Sequence, residues 1–400
     1  MSEITTSNMS LITNLLPTGW REQAKATKAF QRRGDYIETP DDLLKVLLLW
    51  SDLGSFGSTS AFLKETLEMP LNKNAVYERV LKSQDWAEWL AMRCCVEHKY
   101  LVEAPEWLAH YRVLAVDASN VSKPGSTNAD YRLHTMIALF SLTMAEYHLT
   151  TAATGESMTN FSTLMPNDLV VADRAYGTIT SMNWVSEKGA YFVYRLKANS
   201  FNLYTKNAED HFVRFELSEK LAAEWEEGKV LDLDLFYRTG KEYRPVRVCA
   251  IGKTEEAIQA GTARIKRSNH GENRTKVTPL QEIFNKFIVI VTNLPASISP
   301  QQALELYRMR WQIEVVFKRL KSIIHYDELL AKKDSTAKTW FYCKLLIAAI
   351  CETYVRRSYF SPCGNVCGDR CGDTSDPGYP EVIMERIRNC LYSRGMDYKE

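Results

Sequence analysis

Between residues 112 and 196 short apolar runs and turns alternate in an order that demands a sheet with helices packed on it. Arg112–Ala118 (RVLAVDA) has the length and apolar character of a buried strand. Tyr131–Met144 and Tyr147–Ala153 read as the next two strands, with Ala145-Glu146 as a tight link. Leu169–Ala172 (LVVA) is another buried strand. Ile179–Lys188 reads as a helix closed by Gly189, and Tyr191–Leu196 (YFVYRL) as a fifth strand. Three strands in hairpin order, then strand–helix–strand, predict an α/β fold built on a mixed sheet.

The flanking regions differ in texture. Residues 1 to 105 read as helical. Thr39-Pro40-Asp41-Asp42 supplies a capping hydroxyl, a proline for the first turn and acids against the helix dipole, before the apolar run Leu43–Trp50. Amphipathic stretches Thr59–Leu67 and Lys73–Leu81 flank Met69-Pro70-Leu71-Asn72, the plan of a helix-turn-helix and equally of a small helical bundle. From 201 to 295 strand character returns at Val230–Tyr237, Val246–Ile251 and Lys286–Thr292, around a polar, basic stretch, Arg264–Lys276, expected to be an exposed loop. This reads as a β-rich insertion. A long helix is predicted from Pro300 to His325 and another over Ala337–Arg357. Ser361–Pro380, rich in Gly, Asp, Pro and Cys, reads as loop or disorder. The expected organisation is a helical domain at 1–105, a core of 106–200 with 296–360, the insertion at 201–295, and a tail at 361–400.

Four hundred residues suffice for two or three such units, and a formal net charge of +1 argues against a uniformly basic nucleic-acid coat while allowing a local basic groove. Leu43–Trp50 and Leu345–Ile350 are too short to span a bilayer, and MSEITTSNMS lacks the order of a secretory signal. A cytoplasmic protein is expected, with its nine scattered cysteines mostly thiols. Cys363, Cys367 and Cys371 could bind zinc, but their spacing is wider than the usual pair and no histidine is close by.

Two aspartates end apolar strands: Asp117 within VLAVDAS and Asp173 within VVADRAYG. A carboxylate at a strand tip is held rigidly yet meets solvent. Two such tips on neighbouring strands can share a divalent ion, and hard oxygen ligands with open positions suit Mg²⁺ or Mn²⁺. Aspartate also follows strands as an ordinary turn former. The helix after Pro300 is more specific. On a continuous helix Tyr307, Arg310, Glu314 and Lys321 fall within an arc of roughly 60°, with Lys318 beside it. Ile313, Phe317, Leu320 and Ile324 form a separate apolar face. One face packs, and another sets a carboxylate among a phenol, a guanidinium and two ammonium groups, a surface suited to a metal ion beside a phosphodiester. A solvated face laced with ion pairs would show similar spacing.

The pattern Tyr307-x2-Arg310-x3-Glu314-x6-Lys321 resembles the tyrosine–arginine–glutamate–lysine signature of the insertion-sequence-four type of DDE transposases. VLAVDAS and VVADRAYG are similar to that family's two aspartate motifs, FVYRLKAN and IVTNLP to its downstream strands, and AFQRRGDYIETPDDLLKVLLLW to its start. Ala175 stands where the family commonly has glycine. The resemblance spans about 15 to 330. It implies a ribonuclease-H-like core in which Asp117, Asp173 and Glu314 hold two Mg²⁺ ions, with Mn²⁺ as a substitute, for cut-and-paste DNA transposition by nicking, hairpin formation and strand transfer at terminal inverted repeats. It implies that Tyr307, Arg310 and Lys321 grip phosphates, with Lys318 adjacent. It further implies a homodimer on double-stranded DNA and an aromatic of the insertion (Trp225, Phe236 or Tyr237) stacked on a flipped base. A metal-dependent nuclease of the same fold and a non-catalytic, transposase-derived DNA-binding protein are the alternatives.

Overall fold

The computed structural model describes residues 8–97, 104–140, 143–268, 277–324, 329–331 and 333–360. The Cys363, Cys367 and Cys371 tail lies outside the described residues. Strands β1 (Arg112–Val121), β2 (Tyr131–Ala138) and β3 (Thr143–Thr151) form an antiparallel meander. β4 (Asp168–Ala172) and β5 (Tyr191–Arg195) then add in parallel to β1. The crossover between them is helix α7, numbered after the six helices of residues 8–97; it spans Ile179–Glu187 and ends before Gly189, whose φ is +68°. This is the ribonuclease-H-like arrangement that the order of apolar runs predicts. Every residue of β4 is buried, as expected for a parallel strand covered on both faces.

The sheet does not stop at β5. β6 (Leu203–Lys206), β7 (Phe212–Phe215), β8 (Val230–Thr239), β9 (Glu242–Gly252) and β10 (Phe287–Thr292) extend it, in the order β3-β2-β1-β4-β5-β10-β9-β8-β6-β7. β10 pairs antiparallel with both β5 and β9, so it joins β9, β8, β6 and β7 edge-on to the rest. α8 (Leu217–Glu224), α9 (Glu255–Ser268) and α10 (Pro279–Asn285) decorate this extension.

Four expectations require correction, the first being that Asp117 ends its strand: β1 runs on past it to Val121. The link between the second and third strands falls after Ala138, and Ala145-Glu146 lie inside β3. Glu146 is only 2% exposed because it is fully engaged: the N–H groups of Ser162 and Thr163, both their hydroxyls and the His148 ring reach its oxygens. Within the stretch expected to be an exposed loop, Arg264–Ser268 form the last turns of α9; residues 269–276 lie outside the described residues. The long helix from Pro300 is two helices, α11 (Pro300–Met309) and α12 (Trp311–Ile324), meeting at Arg310.

The opposite sheet faces carry two cores. On one, Leu114, Val116, Val170, Phe192 and Val289 pack with Met182 and Val185 of α7 and with Leu217 and Leu221 of α8. On the other, Val113, Ala115, Leu133, Val171 and Ile290 pack with α11, with Ile313 and Phe317 of α12, and with α13 (Asp334–Phe360). The side chains of Leu320 and Ile324 lie outside the described residues. The same core takes in the N-terminal helices α1 (Asn8–Thr13), α2 (Trp20–Ala26), α3 (Pro40–Leu53), α4 (Phe56–Thr66), α5 (Lys73–Lys82) and α6 (Gln84–Glu97). α3 begins as its sequence dictates, with a capping box between Thr39 and Asp42 and Pro40 in the first turn. α13 packs on α3, α5 and α6, with Lys344 set 4.0 Å from Asp52 and the Tyr342 hydroxyl donating to Glu88 at 3.0 Å. Among the described residues no helix is long and apolar enough to cross a membrane.

Candidate active site

β1, β4 and β5 run parallel, so their C-terminal ends share one edge of the sheet. Asp117 lies in β1 opposite Thr135 of β2, and Asp173 directly follows β4. The Asp117 carboxylate is bent back so that Oδ1 accepts the Ala118 N–H at 2.8 Å. Burial pushes this carboxyl up to about 6. The Ala118 N–H and Arg310 oppose that shift, and the Glu156 and Asp173 carboxylates reinforce it. The chain turns sharply after Asp173, with the Tyr176 N–H donating to the Asp173 carbonyl at 3.0 Å. Glycine is required at 177, since a Cβ there would sit 2.8 Å from the Arg195 carbonyl oxygen. Ala175 is exposed and is not among the positive-φ residues, so alanine fits without strain.

α11 and α12 cross this edge. At their junction the Arg310 N–H donates to Tyr307 O (3.2 Å) and the Ile313 N–H to Arg310 O (3.0 Å). Both bonds span three residues, which tightens the turn and re-aims the helix. The arc expected of a continuous helix is therefore broken at Arg310, yet the functional groups still converge. The Tyr307 hydroxyl donates to Asp173 Oδ1 at 3.1 Å. Arg310 Nη2 donates to Glu314 Oε1 at 2.7 Å, and Nη1 lies 3.8 Å from Asp117 Oδ2. The Arg310 side chain is 13% exposed and that of Glu314 47%. The structure thus brings together Asp117, Asp173, Tyr307, Arg310 and Glu314. Lys318 is exposed one turn further along α12, and Lys321 is half-buried beyond it.

Five groups near this cluster are invisible to strand or helix periodicity. Arg195, closing β5, lies close enough for its charge to act on the Tyr307 hydroxyl. Glu156, in the loop after β3, makes itself felt at Asp117 and lies 3.9 Å from Arg132 Nη1. Tyr176 is buried with its hydroxyl unpartnered among the described residues, and burial, Glu156 and Asp117 all raise its pKa. The Thr135 hydroxyl, on the strand position facing Asp117, is likewise buried and unpartnered among the described residues. Trp311 is 60% exposed, between Arg310 and Glu314 in sequence. Of the insertion aromatics, Tyr237 is buried and donates to Asn183 at 2.9 Å, Phe236 packs edge-on against Phe212, and Trp225 is half-buried under Lys286.

The donor set is all carboxylate and hydroxyl oxygen, the chemistry of a hard divalent ion. Among the described residues, no three His, Cys, Asp or Glu side chains converge closely enough to hold an ion in this arrangement. A guanidinium, itself a cation, stands between Asp117 and Glu314. The oxygens suit a hard divalent ion by their chemistry, and in this arrangement Arg310 holds the space between two of them.

The sequence profile of the transposase DDE domain family matches residues 108–350, which contain the whole cluster. The transposase for insertion sequence element IS421 of Escherichia coli is 25% identical over 305 residues, covering 73% of this chain and 78% of that protein. The transposase for insertion sequence element IS231F of Bacillus thuringiensis subsp. israelensis is 26% identical over 203 residues, covering 48% of this chain and 42% of that protein.

Proposed function

The chain belongs to the DDE-domain transposases, and from that membership we propose which of its residues perform each part of the reaction. It is a DNA transposase of an insertion sequence, working by cut-and-paste and using divalent metal. We assign the ion to Asp117, Asp173 and Glu314, with Mg²⁺ as the natural species and Mn²⁺ as a substitute. Bound there, it would supply Lewis acidity for phosphoryl transfer to water or a 3′-hydroxyl. The chain's own groups do the rest. Arg310 offers a bidentate fork to a phosphate of the transposon end, Tyr307 a phenolic donor, and Lys318 and Lys321 point charges along the same helix. Together they hold a bent end while its 3′-hydroxyl attacks the opposite strand to give a hairpin. Trp311, exposed beside Arg310, is better placed than Trp225, Phe236 or Tyr237 to stack on an unpaired base.

We further assign recognition of the inverted repeats to the helical region 1–105, where Arg32, Arg33 and Lys73 are exposed. Pairing of two ends calls for a homodimer, and the cytoplasm, where the chromosome lies, is the place of action. The observation that supports this reading is that Tyr307 bonds Asp173 while Arg310 bonds Glu314 and lies 3.8 Å from Asp117, all inside the span of the family match. Incubating the protein with Mg²⁺, a duplex bearing the element's end and a supercoiled target is the test. Joined end–target products are expected. Cutting without joining would favour a resolvase-like nuclease, and binding without cutting a non-catalytic DNA-binding protein.

A further inference from the structure

Each of the three carboxylates is already engaged by a donor or cation of the helices that cross the edge. Tyr307 donates to Asp173, and Arg310 bonds Glu314 at 2.7 Å while lying 3.8 Å from Asp117. The guanidinium is largely buried, and its Nε has no partner among the described residues. We propose that Arg310 is a built-in counter-ion that competes with the divalent metal for Asp117 and Glu314, and that a DNA phosphate relieves the competition by taking the guanidinium over.

A divalent ion on the same oxygens would lie beside a fixed positive charge that is itself only 13% exposed, so that water screens their repulsion less than at an open surface. Arginine cannot shed its proton, so only movement of the side chain can relieve it. Arg310 is the residue at which α11 ends and α12 begins, and its side chain springs from the break. A phosphodiester oxygen pair offers the same forked, charge-assisted bonds that the carboxylates now provide. Metal and DNA should therefore tighten each other's binding, by the same factor in both directions. Such coupling restrains metal-dependent cutting until DNA is in place.

This inference rests on the assignment of Asp117 and Glu314 as metal ligands, and one experiment separates the two. Mn²⁺ binding to the full chain is measured by titration calorimetry, with and without duplex DNA from the element's end, for the natural protein, Arg310→Gln and Asp117→Asn. The natural protein should bind Mn²⁺ weakly alone and roughly tenfold more tightly with DNA. Arg310→Gln should bind Mn²⁺ roughly tenfold more tightly than the natural protein without DNA, and gain little when DNA is added. Asp117→Asn should bind poorly in both conditions. If Arg310→Gln binds Mn²⁺ no better than the natural protein while Asp117→Asn is impaired, the counter-ion role is wrong and the ligand assignment stands. If Asp117→Asn binds normally, the ligand assignment fails and takes the counter-ion role with it. Melting curves check each variant's fold, and Arg310→Met is the second neutral replacement should glutamine unfold the junction.

Discussion

Asp117 occupies a position that favours its neutral form. Burial raises its carboxyl from 3.8 to about 6, with Glu156 and Asp173 pushing the same way and the Ala118 N–H and Arg310 only partly offsetting them. A carboxyl whose folded pKa lies above its unfolded one binds its proton more tightly when folded. The ionised group therefore subtracts stability, and the loss develops as pH rises from about 4 to about 6. Asp117→Asn in the presence of a chelator should melt higher than the natural protein at pH 7, by on the order of 1–3 kcal/mol, and show little gain near pH 4. Unchanged melting at neutral pH would mean that the site tolerates the charge without cost. Asp173 was legible in the sequence because a strand tip is a local feature, whereas Asp117 is marked only by its apolar run, since β1 continues past it to Val121. Glu156, Tyr176 and Thr135 were not legible. They approach Asp117 from a loop, a turn and a neighbouring strand, and nothing in their own segments marks the meeting.

At the scale of elements, the helix spanning the site was foreseen and its break was not. Periodicity reports which residues are apolar, and Ile313 and Phe317 are buried as that pattern requires. It is silent on a single tightened turn at Arg310, made by main-chain bonds that any residue can form. The start of β3 is hidden for a related reason, since a glutamate in the middle of a strand looks like a turn. Glu146 is instead the anchor for the loop that carries Glu156. Burial would raise its carboxyl, but bonds from His148, Thr163 and the Ser162 and Thr163 N–H groups win and hold it at about 2. A depressed carboxylate contributes stability above its unfolded value, and that contribution is lost as pH falls from about 4.5 toward 2. Glu146→Gln, unable to accept all these bonds, should cost about 2–3 kcal/mol at pH 7 by thermal melting, and much less near pH 2. A cost that does not shrink with acid would show that shape, not charge, holds the loop. The strands β6 and β7 and helices α8 and α10 are each too brief for a periodic signal, and the basic end of the 14-residue α9 resembles an exposed loop.

For the whole molecule, the site exists only when distant parts of the chain are in place. Asp117, Asp173 and Glu314 come from a central strand, the turn after its neighbour and a helix laid across both. α13 ties that helix layer to the N-terminal helices through a shared core that includes Trp50, Trp86, Trp340 and Phe341. The order of strands and helices was readable from the sequence, whereas the fusion of these layers through α13 is a matter of long-range packing that no local pattern encodes. The central claim is that the three carboxylates act together on the scissile phosphate. The most direct measurement is a time course of cleavage of end DNA in Mg²⁺ by Asp117→Asn, Asp173→Asn and Glu314→Gln, each shown by melting and DNA binding to be folded. Every one of the three should lose at least about a hundredfold in rate while still binding DNA. A folded variant that cuts at the natural rate would remove its residue from the site and contradict the account.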